Sequence, residues 1–220
     1  MRRLIGFADV SSVSAATLLC AMILARVGLA LEHISLAALA LGLALGFFAA
    51  DVASGVVHWL CDTYFDASAP VIGPMVIAPF REHHVDPDAL GRHGVLERNG
   101  NNCLASLPLL VAAVCSLHAG TRQTWDDVVS GLFIALGVTL CVTNQIHAWA
   151  HGGAVPRMVR ALQRAGVLLA PERHARHHRG GRAYAVVCGW SNVFLDGAFA
   201  VVETALAALG LRPHEPRSPA

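Results

Sequence analysis

Two apolar runs, residues 10–31 and 34–60, parted only by Glu32-His33, constrain this chain more than any other feature. Each exceeds the ~20 residues that a helix needs to cross a hydrocarbon layer of about 30 Å, where a helix satisfies its own backbone polar groups. The composition agrees: 55% of the 220 residues are hydrophobic and 14% charged, and mean hydropathy is +0.54, an apolar excess over the soluble norm. We read an all-α polytopic membrane protein. Further apolar stretches at 103–119, which contains Pro108, and at 127–150 bring the expected number of transmembrane helices to four. The last apolar piece, 192–210, carries Asp196 and Glu203 and reads as an interfacial helix in preference to a fifth span. One membrane domain is expected over 1–211, with a disordered tail at 212–220 rich in proline. Met1-Arg2-Arg3 resembles a signal-peptide start, but no small-residue cleavage site precedes a polar domain, so the first run is read as a retained span.

A net charge of +1 offers no global basic field, and nucleic acid is excluded as a partner on that ground. The 16 basic residues are all arginine, a bias that fits a GC-rich bacterial genome. Arg157, Arg160, Arg164, Arg173, Arg176, Arg179 and Arg182 cluster after the fourth apolar run, whereas the turn at 121–127 holds Arg122 alone. The positive-inside rule then places both termini, the 61–102 segment and everything past 151 on the cytoplasmic side of a bacterial inner membrane. The arginine run also suits contact with lipid headgroups. Six cysteines form no C-x-x-C pair and read as reduced, small hydrophobes. Arg26, inside the first run, must snorkel or face the bundle interior. Gly42, Gly46 and Gly55 permit close helix approach.

The histidines carry the chemistry. Of twelve, His33, His118 and His214 lie apart; the other nine fall in the segments assigned to one membrane face. His147 and His151, four apart, share one helix face, and Asn144 joins their stripe. His58 and Asp62 repeat that spacing at the end of the second run. His83 and His84 are adjacent, and His174, His177 and His178 form an H-x-x-H-H group on helical spacing. Eight imidazoles in four groups, with His93 and Asp62 nearby, exceed the needs of one metal ion and suit two. Largely histidine ligation with open positions is compatible with an iron pair that activates dioxygen, and Asp62, Glu82 and Asp86 are placed to orient the rings. Asn144 has three possible roles: a water-bridged ligand, a residue behind the ligands, or a helix–helix hydrogen bond.

Taken together, Ser54-Gly55-Val56-Val57-His58-Trp59-Leu60-Cys61-Asp62-Thr63, Pro79-Phe80-Arg81-Glu82-His83-His84-Val85-Asp86-Pro87, Glu97-Arg98-Asn99-Gly100-Asn101-Asn102-Cys103, Thr143 to His151 and His174-Ala175-Arg176-His177-His178 resemble the Kua/CarF family of plasmanylethanolamine desaturases over about residues 50–200. The resemblance implies a membrane di-iron desaturase. It would use two Fe ions, O2 as co-substrate and an external electron donor of the cytochrome b5 or ferredoxin kind to form the vinyl ether of a plasmalogen from an ether phospholipid. By the same resemblance His58, His83, His84, His147, His151, His174, His177 and His178 are the metal ligands, with Asp62 and His93 as further motif residues. A related branch desaturates acyl chains of plastid phosphatidylglycerol, so the lipid substrate is less constrained than the chemistry. One departure stands out: where the family has Pro-His after H-x-x-H-H, this chain has Arg179-Gly180-Gly181-Arg182, which puts one site in question. Two other readings stay open, a membrane hydroxylase with the same metal pair and a non-catalytic metal-dependent sensor.

Overall fold

In a computed structural model the protein is described over residues 6–118, 121–152, 154–211 and 213. Arg2, Arg3, His214 and nearly all of the expected tail lie outside the described residues. Helices follow in the order α1 (Phe7–Ala30), α2 (Leu36–Thr63), α3 (Ala78–Val85), α4 (Ala89–Arg92), α5 (Val95–Ser116), α6 (Thr124–Cys141), α7 (Thr143–Ala150), α8 (Arg157–Arg164), α9 (Pro171–His178) and α10 (Asn192–Ala208). No strand occurs among the described residues. The all-α reading therefore holds.

Among the described residues, three stretches are long and apolar enough to cross a membrane: Phe7–His33, Leu36–Thr63 and Thr124–Cys141. The expected third and fourth spans differ from the sequence reading for local reasons. α5 starts at Val95 and takes Glu97, Arg98, Asn99, Asn101 and Asn102 into its first two turns, diluting the apolar stretch at 103–119. The run at 127–150 is broken at Val142, after which α7 begins as a separate short helix. Length and composition thus support three spans among the described residues.

The chain forms two compact units, Met1–Ala50 with Gly94–Gln145 and Asp51–His93 with Ile146–Ala220. In the first, α1, α5 and α6 and the front of α2 pack closely. Gly42 and Gly46 are required there: a Cβ would lie 2.1 Å from the Val128 carbonyl oxygen at Gly42 and 2.3 Å from that of Leu132 at Gly46. Arg26 neither snorkels freely nor seeks a carboxylate; its Nη1 donates to the Leu117 carbonyl at 3.2 Å. Arg122 forms a buried ion pair with Asp127 at 2.8 Å, and the other Asp127 oxygen accepts the Ser35 backbone N–H. That pair closes the polar turn before α6 against the start of α2.

In the second unit the end of α2 meets α10 through Trp59, whose indole stacks on Phe199 with centroids 4.4 Å apart. Gly55 is the close-approach position here, since a Cβ would stand 2.8 Å from Leu195 Cδ1 and 3.2 Å from Ala185 Cβ. Asp51, fully buried in α2, accepts from the backbone N–H groups of Val187, Cys188, Gly189 and Ser191 and from Ser191 Oγ. An acid inside an apolar run is costly unless so satisfied. It binds the irregular 187–191 segment to the helix.

Candidate metal centre

Eight of the histidines converge within the second unit. His58 lies one turn from the end of α2, His83 and His84 on the last turn of α3, His147 near the end of α7 with His151 just after it, and His174, His177 and His178 on α9. Local sequence explains the placement. Pro171 sits in the first turn of α9, where a missing N–H costs nothing. At the other end Gly180, at φ 83°, turns the chain sharply, with the Gly181 N–H bonded to the Arg176 carbonyl. The buried face of this short helix is histidine: His174 and His177 are nearly inaccessible, and Arg173 and Arg176 stay exposed.

Two groups of donor atoms result, each within 4.8 Å of one another: His83, His147, His151, His174 and His178 in one, and His58, His83, His84 and His177 in the other. In the first, His174 Nε2 lies 2.9 Å from His147 Nε2, 3.0 Å from His151 Nε2 and 2.9 Å from His178 Nε2. One ring nitrogen has a single N–H or a single lone pair and can satisfy one such neighbour at most. Separations near 3 Å are what bonds of about 2.1 Å to a shared centre produce at right angles. In the second group Asp62 Oδ2 stands 3.0 Å from His58 Nε2, 2.9 Å from His84 Nε2 and 3.3 Å from His177 Nε2.

Backbone carbonyls set the ring tautomers of that second group. His58 Nδ1 is 2.9 Å from the Tyr184 carbonyl oxygen and His177 Nδ1 is 2.9 Å from that of Arg182. A carbonyl only accepts, so both Nδ1 atoms carry protons, and in the neutral rings each Nε2 turns a lone pair toward the Asp62 carboxylate. Lone pairs facing a carboxylate repel unless a cation lies between them. The Nε2 atoms of His58 and His83 are buried without a hydrogen-bond partner. The residues present therefore fit a pair of metal ions.

Burial, reinforced by neighbouring imidazoles, holds the rings in the neutral form that metals require. His83, His147, His174 and His177 are all pushed below the usual histidine range, with burial the largest cause. His151 is pushed down to about 4 and His178 to about 3, again chiefly by burial and then by His84. Phe80 covers the cluster, its ring centroid 5.1 Å from that of His58 and 6.4 Å from that of His147.

The remaining candidates stand elsewhere. His93, just after α4, is in neither donor group. Asn144, in the first unit, donates from Nδ2 to the Arg98 carbonyl at 3.0 Å, a bond between α7 and α5. Of its three possible roles this is the helix–helix hydrogen bond. Asp86 pairs with Arg92 at the surface, so it does not orient a ring of the cluster. Sequence reasoning missed the supports behind the histidines. Arg182, in the segment that departs from the family pattern, lends its carbonyl to His177, and its guanidinium holds Glu203 of α10 at 2.9 and 2.5 Å. Glu203 also accepts the Trp59 indole N–H at 2.8 Å. Ala183, at φ 60°, is held by its N–H bond to Asp196. The signal available was the acids Asp51, Asp196 and Glu203 inside apolar runs, where each needs a partner.

An all-helical chain with apolar membrane-length helices and a cluster of eight histidines, five of them buried, defines a class, the histidine-rich membrane proteins able to hold metal. Within it, this chain belongs to the lipid desaturase family, whose domain matches residues 47–216. It is 41% identical over 150 residues to the plasmanylethanolamine desaturase of Myxococcus xanthus, covering 67% of this chain and 52% of that protein. It is 35% identical over 161 residues to plasmanylethanolamine desaturase 1 of Mus musculus, covering 71% and 59%. Fatty acid desaturase 4, chloroplastic, of Arabidopsis thaliana is 34% identical over 183 residues, covering 79% and 54%. The aligned stretch thus spans less than two thirds of each of these relatives. No solved structure matches the chain.

Proposed function

We propose that this protein is a plasmanylethanolamine desaturase, a di-iron enzyme that uses O2 and electrons from an external carrier protein to introduce the vinyl ether bond of a plasmalogen into an ether phospholipid in a bacterial inner membrane. The observation that carries the reading is the pair of donor groups sharing His83, in a chain whose relatives include proteins of that name. When bound, the metal pair would supply the oxidising chemistry: O2 takes two electrons and two protons from the lipid chain, two electrons from the donor and two protons from the aqueous phase, and leaves as two waters.

The chain's own residues do the rest. His147, His151, His174 and His178 would hold one ion and His58, His84, His177 and Asp62 the other, with His83 common to both donor groups. The carbonyls of Tyr184 and Arg182 keep His58 and His177 in the tautomer that offers Nε2. Phe80 closes an apolar side of the cluster and excludes water from the chain segment to be oxidised. The cytoplasmic placement of the cluster follows from the arginine distribution.

Expression in cells that hold ether phospholipids but lack a desaturase tests the reading. Acid-labile vinyl ethers should appear and should vanish with His147→Ala. Unchanged lipids despite well-expressed, iron-loaded protein would overturn it. New double bonds confined to ester-linked chains would replace it with the acyl desaturase reading that the Arabidopsis relative suggests.

A further inference from the structure

A cleft of about 520 Å³ lies beside the histidine cluster, lined by Arg173, Arg176, Ala183, Trp190, Asn192 and Asp196 among others. At 3.6 residues per turn, the histidines of α9 and its two lining arginines point roughly 120° apart around one helix. The cleft and the cluster thus share α9 as a wall. Arg176 makes no side-chain hydrogen bond or ion pair among the described residues. Arg173 is anchored by one bond, from Nη1 to the Cys188 carbonyl at 3.3 Å. The remaining N–H groups of the two guanidinium forks, on one exposed face, match the oxygens of a phosphate. A simple anion does not explain Asp196 in the same lining, a carboxylate whose Oδ1 accepts the Ala183 N–H. Positive and negative groups lining one cleft suit a zwitterion.

We propose that this cleft binds the headgroup of a zwitterionic phospholipid, its phosphate on Arg173 and Arg176 and its amino group at Asp196. The inference rests on the desaturase reading for its place in the reaction. A bond formed next to the ether oxygen lies about six bonds from the phosphorus, roughly 8 Å at ~1.5 Å per bond allowing for zigzag. The headgroup must then sit beside the metals. A helix about 10 Å across, with ligands on one face and arginines on the next, sets that spacing. Desaturation far down an acyl chain imposes no such requirement.

The test uses the full chain purified in detergent and compares binding of an ether-linked phosphatidylethanolamine, its trimethylated phosphatidylcholine counterpart, and the matching alkyl-acyl glycerol without phosphate, with inorganic phosphate as competitor. Arg176→Gln should weaken binding of the ethanolamine lipid ~10-fold, the loss expected for one charge-assisted hydrogen-bond pair. Asp196→Asn, which keeps the acceptor for Ala183, should weaken it several-fold and narrow its preference over the choline lipid. Arg92→Gln, at the surface beside Asp86 and outside the cleft, should change neither. Equal binding of the phosphate-free lipid, full displacement by millimolar inorganic phosphate, or an equal loss with Arg92→Gln would overturn the proposal. Vinyl ether formation separates the two readings. If the wild type forms vinyl ethers with the same KM as Arg176→Gln, the cleft assignment fails and the desaturase reading stands. If headgroup binding depends on Arg176 but no vinyl ether forms, the desaturase reading fails and the cleft stands.

Discussion

At the scale of single residues, Asp62 is the most exposed to test. Its Oδ2 meets three imidazole nitrogens within 3.3 Å, so its charge belongs to the second donor group. Asp62→Asn should lower affinity for one of two bound metals by about 10- to 100-fold in chelator competition, leaving the other unchanged; equal weakening of both would contradict the division. The lowered histidines also fix a pH dependence for metal-stripped protein. His151 and His178, at about 4 and about 3 when folded, bind protons near 6.5 once unfolded. The unfolded chain thus takes up more protons, and the stability present above pH 6.5 should be lost as pH falls from there toward 4 and 3. Thermal unfolding of stripped protein between pH 7.5 and 5 should show a falling midpoint, and a flat profile would count against neutral, buried rings. Metal should blunt the fall. His147 with His151, His174 with His177 and His178, and His58 with Asp62 were legible in the sequence because i, i+3 and i, i+4 spacings survive as helix faces, whereas the adjacent His83 and His84 carry no such spacing. The division of the histidines between two groups was not legible, because it depends on how α3, α7 and α9 meet around His83.

Among the elements, α9, α10 and the segment between them decide how rigidly the cluster is held. Glu203 binds both the Arg182 guanidinium and the Trp59 indole, and the Arg182 carbonyl fixes His177. Glu203→Gln removes the charge and one half of that clamp. We expect an activity loss of about tenfold, with His177 looser and metal affinity at the second group lower; a drop in stability with unchanged metal affinity would mark the clamp as structural only. The segment Arg179-Gly180-Gly181-Arg182, read from sequence as a departure that puts one site in question, supplies an oriented carbonyl through Arg182, and Tyr184, two residues on, supplies another. Backbone oxygens leave no signature in residue type, so no reading of side chains could have found them. Helix boundaries failed for a related reason. The polar start of α5 is carried by tertiary bonds, Ser12 Oγ to the Gly100 carbonyl and Arg98 to Gln145, which apolar periodicity does not register.

For the whole molecule, hydropathy revealed an all-α membrane chain but not the number of crossings, since a helix such as α5 mixes a polar first half with an apolar second. The apolar surface of α1, with Phe7, Leu18, Leu24 and Leu29 exposed, is what a lipid-facing helix presents. Everything distinctive about the protein comes down to the proposition that eight histidines and Asp62 hold two metal ions that oxidise a lipid. The most direct test is the metal content of purified protein by elemental analysis, for wild type, His147→Ala and His177→Ala. Two irons per chain in the wild type and one in each variant, with the two residual irons differing in spectrum, is the expected result; a single metal per chain, or variants that retain both, would contradict it.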